Sequence, residues 1–133
     1  MSEKLDIMSE KLGIRARKTI HYLYQNKKFD ELPKYGDFLV RYKESAYANK
    51  GDFLIVEIFK EMLDDGIVTC LVWWNFRDER GNLELPQNEH HSYYMGGGYD
   101  TYKANNYEAQ FLVDKLKEAG YKWDFKEKKL IRL

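Results

Sequence analysis

The sequence predicts an α+β fold: an N-terminal helix, an antiparallel β-sheet of about four strands, a second helix and a C-terminal β-hairpin. Three observations lead to this fold class. Apolar residues first repeat with a helical period, then with the strand period of two from Gly36 onward. Asp64–Asp65–Gly66 separates two apolar segments, as in a tight antiparallel hairpin. A second helical repeat ends at Gly120. Residues 1–133 are expected to form one domain, because a domain usually has about 100–200 residues.

The first predicted helix covers residues 8–26. Its apolar stripe is weakened locally by Gly13, and Lys27 and Lys28 follow its C-terminal end, where basic side chains favour the helix dipole. Residues 1–7 (MSEKLDI) are duplicated almost completely by the next seven (MSEKLGI), so we expect a frayed, duplicated N-terminus. The stripe consists of Met8, Leu12, Ala16, Ile20 and Leu23.

Strands are predicted at residues 36–42, 52–62 and 67–76, with a weaker fourth strand within 83–95. The run from Leu71 to Trp74 is apolar on both faces of its strand. A strand of this kind is buried on both sides, so we expect it in the middle of the sheet.

The second predicted helix begins at Asn105, which caps it together with Glu108, and ends before Gly120. Its apolar stripe indicates that it packs on the sheet, and we expect both helices to cover the same face. A terminal hairpin should pair Tyr121–Phe125 with Lys129–Leu133. Its expected anchors are Trp123, Phe125 and Ile131.

Composition limits the classes of protein. The chain has 133 residues, 44% of them apolar, and a formal net charge of zero, which favours a folded domain over a disordered one. No apolar run is long enough for a transmembrane helix, and the charged N-terminus lacks a secretory signal, so no membrane partner is expected. Cys70 is the only cysteine, which favours a reducing, cytoplasmic setting. We expect it to be a core residue.

Charge is unevenly distributed along the chain. Residues 11–29 carry six positive and no negative charges, whereas residues 30–113 carry a net charge of −7. One interpretation is a nucleic-acid-binding accessory protein that uses a basic N-terminal helix. The other is that basic helices pack beside an acidic sheet of the same or a second subunit, which leaves a homodimer open. The candidate nucleic-acid contacts are Arg15, Arg17, Lys18, Lys27 and Lys28.

Tyrosine is concentrated between residues 93 and 107, around a loop that contains three consecutive glycines (95–99, MGGGY). Tyrosine gives large contact area at low entropic cost and glycine lets a loop adapt, as in binding surfaces. The alternative is that several of these tyrosines are half-buried residues of the sheet. The candidate surface for a protein or ligand consists of Tyr93, Tyr94, Tyr99, Tyr102 and Tyr107.

Signals for catalysis are weak. His90, His91 and Asp100 are the candidate residues of a small hydrolase or nuclease. Adjacent histidines on a strand point to opposite faces, so they do not readily bind one ion, and no recognised metal-ligand spacing occurs. The sequence predicts no catalytic residue with specificity, no metal site and no cofactor.

The C-terminal segment reads LVDKLKEAGYKWD (112–124) followed by KKL (128–130), a helix that ends at glycine before a hairpin. It resembles an element of small phage and mobile-element proteins of unknown function. Similar Gly-x-x-Trp-Asp hairpins occur in some DNA-associated proteins, usually with an aromatic residue late in the second strand, where this chain has Ile131. The resemblance implies a phage or mobile-element origin. Together with the absence of catalytic motifs, it leads us to expect a non-catalytic binding module, such as a counter-defence inhibitor that occludes a protein partner.

Overall fold

A computed structural model describes residues 17–43, 53–63, 66–75, 82–84, 92–94 and 100–133, and it has the predicted α+β architecture. The helices are α1 (Ile20–Gln25), a 3-10 turn (Phe29–Glu31) and α2 (Asn106–Glu118). The strands are β1 (Phe38–Lys43), β2 (Phe53–Met62), β3 (Ile67–Asn75), β4 (Asn82–Glu84), β5 (Ser92–Tyr94), β6 (Asp100–Lys103), β7 (Tyr121–Asp124) and β8 (Lys129–Arg132). Within these ranges neither helix has the length and apolar character needed to cross a membrane.

The first helix begins later than predicted. Thr19 is its N-cap, in extended conformation, and its side chain accepts a hydrogen bond from the backbone N–H of Tyr22 at 3.0 Å. A capping threonine satisfies a free N–H of the first turn and thereby fixes where the helix starts. The prediction of helix at residues 17–19 is therefore wrong, and residues 8–16 lie outside the described part of the chain.

The end of α1 agrees with the prediction, with Asn26 as the C-cap. Beyond it Lys27 has a positive φ of 56°, and its N–H donates to the carbonyl of Tyr24. The N–H of Lys28 donates to the carbonyl of Leu23 at 2.9 Å. This pair of bonds is a Schellman motif, in which the left-handed position is normally glycine.

The main sheet is antiparallel, with strand order β4-β3-β2-β1-β6, and β5 pairs with the same edge of β3 as β4 does. As predicted, β3 has neighbours on both sides. The expected weak strand within 83–95 is represented by two short strands, β4 and β5. The strand β6 was not predicted, and it pairs with β1 at the other edge of the sheet.

Two β-bulges interrupt the pairing of β2 with β3. Ile58 pairs with Val72 and Phe59 pairs with Cys70, so Leu71 is an extra residue on β3. Lys60 is likewise extra on β2, before the pairing is regular again. The connection between these strands has the expected glycine conformation, since Gly66 has a positive φ of 83°.

Each face of the sheet packs against one helix, so the prediction that both helices cover the same face is wrong. Leu39 and Val40 are adjacent in β1 and therefore point to opposite faces. On the α2 face Val40 packs with Val56, Val72, Leu112, Leu116 and Trp123, among others. On the α1 face Leu39 packs with Ile20, Phe59, Val68 and Cys70. Both faces must be apolar because both are covered.

The sheet is strongly curled, with its α1 face concave. The hydroxyl of Tyr93 in β5 lies 3.4 Å from the hydroxyl of Thr101 in β6, although three strands separate β5 from β6. Strands in a flat sheet are about 4.8 Å apart, which would separate β5 from β6 by roughly 19 Å. Only a curled sheet brings these two hydroxyl groups together.

The second helix forms as predicted. Asn105 accepts a hydrogen bond from the N–H of Glu108 at 2.9 Å, and the Glu108 carboxylate accepts one from the N–H of Asn105 at 2.8 Å. This reciprocal pair is a capping box. Gly120 follows the helix with a positive φ of 90°, the left-handed conformation that glycine adopts without strain.

The C-terminal hairpin pairs β7 with β8, as predicted. Asp124 holds its turn, because its carboxylate accepts hydrogen bonds from the N–H groups of Lys126 and Glu127 at 2.9 and 3.0 Å. Trp123 is buried as expected, whereas Phe125 is 60% exposed and is not a core anchor. Phe125 instead stacks on the ring of Phe38 with 5.7 Å between the centroids.

Candidate functional site

Two features of the described residues are candidates for function: a buried polar cluster on the concave α1 face, and an exposed surface rich in aromatic and lysine side chains. The buried cluster, which we call the Glu57 cluster, contains side chains from five different strands. Its members are Arg41 of β1, Glu57 of β2, Cys70 of β3, Tyr93 of β5 and Thr101 of β6.

Glu57 lies at the centre of the cluster and is completely buried. Its Oε1 accepts hydrogen bonds from Arg41 Nε at 3.1 Å and from the Tyr93 hydroxyl at 3.3 Å. The Cys70 thiol donates to its Oε2. The guanidinium of Arg41 also lies over the ring of Tyr93, 3.8 Å from its centroid. The carboxylate is thus surrounded by donors, as a buried polar group requires.

Burial dominates the titration of this cluster. It raises the pKa of Glu57, although the charge of Arg41 and the three hydrogen bonds oppose the shift. Burial and the neighbouring Glu57 raise the pKa of the Cys70 thiol well above its usual value, and they do the same for the Tyr93 hydroxyl. The nucleophilic form of cysteine is the thiolate. A buried thiol with a raised pKa is a poor nucleophile, so the arrangement favours a structural role over catalysis.

Sequence reasoning placed Cys70 in the core but missed Arg41 and Glu57. The signal was present, because each is a single charged residue inside an otherwise apolar strand segment, LVRY (39–42) and LIVEI (54–58). A charged residue at an inward-facing position needs a partner of opposite charge. Two such positions of opposite sign on neighbouring predicted strands indicate an internal ion pair.

The predicted tyrosine surface is not a single surface. Tyr93 belongs to the Glu57 cluster on the α1 face, whereas Tyr102 is buried in the core on the α2 face. Tyr107 is 50% exposed on the first turn of α2. Tyr99 and the side chain of Tyr94 lie outside the described part of the structure. Tyr102 is therefore corrected from a contact residue to a core residue, because the alternation of β6 directs it beneath α2.

The predicted nucleic-acid contacts also divide. Arg17 donates two hydrogen bonds to the buried carboxylate of Glu108, at 2.8 and 3.0 Å, and one to the carbonyl of Lys103. Its charge is therefore paired within the fold, and a nucleic-acid contact through Arg17 stays a prediction. Lys18 and Lys27 are exposed. The remaining two candidates are Lys28, which is partly exposed and 3.9 Å from Glu31, and Arg15, which lies outside the described residues.

The residues of the predicted hydrolase are not brought together in the described ranges. Asp100 is exposed at the start of β6, and His90 and His91 lie outside the described part of the chain. Among the residues that the structure does describe, no group of three histidine, cysteine or carboxylate side chains is arranged to hold a metal ion.

The exposed candidate, which we call the basic aromatic surface, comprises Tyr24, Phe29, Tyr35 and Phe125 with the lysines between and beside them. Their rings are between 38% and 60% exposed. The lysines are Lys27, Lys28, Lys34, Lys126 and Lys128.

Two contacts join neighbouring members of the basic aromatic surface, one between Tyr24 and Phe29 and one between the segment of Tyr35 and the hairpin turn. Tyr24 meets Phe29 edge to face, with 6.1 Å between ring centroids. Gly36, directly after Tyr35, has a positive φ of 88°, and a Cβ there would lie 3.1 Å from the side chain of Lys128. The N–H of Gly36 also donates to the carbonyl of Phe59, which fixes the segment at the end of the sheet. The hairpin turn and the segment after α1 are thus neighbours in space.

This part of the molecule is basic although the whole chain is neutral. Residues 17–37 and 121–133 contain ten lysines and arginines but only five aspartates and glutamates. The rest of the chain consequently has a net charge of −5. A local excess of one sign attracts partners of the opposite charge and accelerates their association.

Comparison of the chain with protein-family models, with curated proteins and with solved structures found no match.

Proposed function

We propose that this protein is a non-catalytic binding module that contacts a macromolecular partner through the basic aromatic surface. The observation that carries the proposal is the exposure of four aromatic rings, those of Tyr24, Phe29, Tyr35 and Phe125, among lysines. Burying one such ring stabilises a complex by roughly 1.5–3 kcal/mol. Aromatic residues are enriched among the residues that dominate binding energy.

The chemistry of the Glu57 cluster supports the non-catalytic part of the proposal. Its thiol and carboxyl groups are buried and hydrogen-bonded to one another, and the raised pKa of Cys70 disfavours the thiolate. The resemblance of residues 112–133 to phage and mobile-element proteins supports a more specific version. In that version the protein is an intracellular inhibitor that occludes its partner.

Affinity capture from cell lysate tests the proposal. Tagged wild-type protein is compared with the double variant Phe29→Ala/Phe125→Ala and with Tyr107→Ala, which removes a half-exposed ring outside the basic aromatic surface. Bound protein and bound nucleic acid are both measured, and thermal unfolding confirms that each variant is folded.

We expect wild type and Tyr107→Ala to capture the same partner, and the double variant to lose it. Equal capture by all three proteins would show that the basic aromatic surface does not bind the partner. Loss of partner capture with Tyr107→Ala alone would indicate that the partner binds the tyrosine-rich segment 93–107 that the sequence suggested.

A further inference from the structure

We infer that the partner of the basic aromatic surface is single-stranded nucleic acid, whose bases stack on the exposed rings while its phosphates contact the lysines. This inference rests on the proposed function and names the chemical class of the partner. Proteins that bind single strands without sequence preference combine a basic track with aromatic rings in this manner.

The rings of the surface are accessible for stacking. Phe29 and Phe125 are the two most exposed aromatic side chains of the described residues, at 58% and 60%. Phe125 has one face against Phe38, which holds its ring in position and leaves the other side toward solvent. Every base presents a π-face, so such a ring accepts any nucleotide that is not paired in a duplex.

The type of basic residue favours phosphate over a protein partner. All of the basic side chains between and beside the rings are lysines: Lys27, Lys28, Lys34, Lys126 and Lys128. Lysine is depleted at protein–protein interfaces, where arginine is the enriched basic residue. Lysine does bind phosphate effectively, as a compact point charge.

Two of these lysines have a backbone conformation that disfavours lysine. Lys27 and Lys128 have φ values of 56° and 54°, and they are the only non-glycine residues with positive φ in the described ranges. Glycine is the residue that such positions normally hold, and other residues are strained there. Both strained positions carry a positive charge on the same surface, which is expected where binding rather than stability determines the residue.

Fluorescence anisotropy with labelled single strands of about 15 nucleotides, oligo(dT) and oligo(U), tests the inference directly. A duplex of the same length is the control for charge alone. We expect binding to the single strands and at least tenfold weaker binding to the duplex. If about five phosphates are contacted, the logarithm of the binding constant should fall with the logarithm of salt concentration with a slope of about −3.5.

Variants separate stacking from charge. Phe29→Ala and Phe125→Ala should each weaken single-strand binding by about fivefold to 100-fold with an unchanged salt slope, because each removes one stacked base. Tyr107→Ala should leave the affinity unchanged. Equal affinity of all three variants and wild type would overturn the inference.

The Lys27→Gly variant distinguishes a binding role of Lys27 from a purely structural role. The substitution relieves the left-handed strain, so the urea midpoint of unfolding should rise, yet binding should weaken and the salt slope should decrease by about 0.7. Lys117→Ala removes an exposed lysine of α2 and should change neither the affinity nor the slope. A stabilised Lys27→Gly variant that binds as tightly as wild type would show that this lysine does not contact the strand.

The two proposals fail in different ways. One outcome is that neither oligonucleotide binds, while lysate capture persists after nuclease treatment and depends on Phe29 and Phe125. The surface then binds a protein, so the inference of a nucleic-acid partner is refuted and the proposed function is retained. If neither oligonucleotide binds and lysate capture does not depend on these rings, both proposals fall.

Discussion

Replacing Arg41 with methionine tests whether the Glu57 cluster is an internal ion pair that the fold depends on. The side chains of Arg41 and Glu57 are 4% and 0% exposed, with 3.1 Å between Nε and Oε1. At an effective dielectric constant of about 20, two unit charges at this distance attract by about 5 kcal/mol. Removal of one partner leaves the other charge buried, which typically destabilises a protein by about 3–5 kcal/mol. We expect this loss for Arg41→Met, out of a total stability of about 5–15 kcal/mol.

The pH dependence of this loss has a definite sign. The raised pKa of Glu57 means that its carboxyl group binds a proton more tightly in the folded state than in the unfolded state. The stability that this proton binding contributes is fully present below the unfolded pKa near 4.5, and it is lost as pH rises through the folded pKa. Arg41 lowers the pKa of Glu57, and its removal raises that pKa further. The destabilisation by Arg41→Met should therefore be larger at about pH 7 than at about pH 4.

Urea denaturation followed by tryptophan fluorescence measures these free energies of unfolding. The double variant Arg41→Met/Glu57→Leu is the matched control, because replacing both charges with apolar side chains often restores stability. A loss below about 1 kcal/mol for Arg41→Met, or a loss that is the same at both pH values, would refute the reasoning. So would a double variant whose loss equals the sum of the two single losses, because no coupling would then exist.

Four further outcomes follow from local geometry. Arg17→Ala should reduce the free energy of unfolding by about 2–3 kcal/mol in urea titrations, because it leaves the buried Glu108 carboxylate without its cation. Cys70 should resist thiol reagents in the native protein and react once urea unfolds it, since it is 2% exposed. The Asp124 carboxyl should titrate by NMR below its ordinary pKa, and its contribution to stability should be present above the unfolded pKa and lost as pH falls through the folded one. Gly36→Ala should lower the urea midpoint, because φ is positive there and the added methyl group meets the lysine of the hairpin turn.

The elements that local signals define were predictable from the sequence. The capping box of Asn105 and Glu108, the left-handed Gly120 and the Gly66 turn all depend on residues within a few positions of one another. The start of α1 was missed because the apolar stripe continues past Thr19, whose capping role competes with that stripe. The strand β6 was missed because it has only four residues, and pairing with β1 rather than its own pattern makes it a strand.

The candidate sites depend on contacts between residues that are far apart in the sequence, and local sequence patterns do not specify such contacts. Arg41 and Glu57 could be recognised as charges within apolar strands, but the hydrogen bond from Tyr93 to Glu57 depends on the curl of the sheet. The density of tyrosines led the sequence analysis to propose residues 93–107 as the binding surface. Phe29 and Phe125 could be identified only from their exposure, which is a property of the folded molecule. The sequence showed the uneven charge distribution correctly, but it did not show that Arg17 pairs with the buried carboxylate of Glu108.

The paired bulges of β2 and β3 have a consequence for how this chain can change its length. Cys70 and Val72 lie on opposite faces and pair with the consecutive residues Phe59 and Ile58, so deletion of Leu71 alone would close one bulge and leave the side chains of β3 on their present faces. Deletion of Leu71 together with Lys60 would leave a regular ladder of full length. Bulges increase local twist, so the straightened hairpin should withdraw Tyr93 from Glu57 while the core pairs remain. Deletion of either bulge residue, or of both, should therefore reshape the concave face without unfolding the sheet.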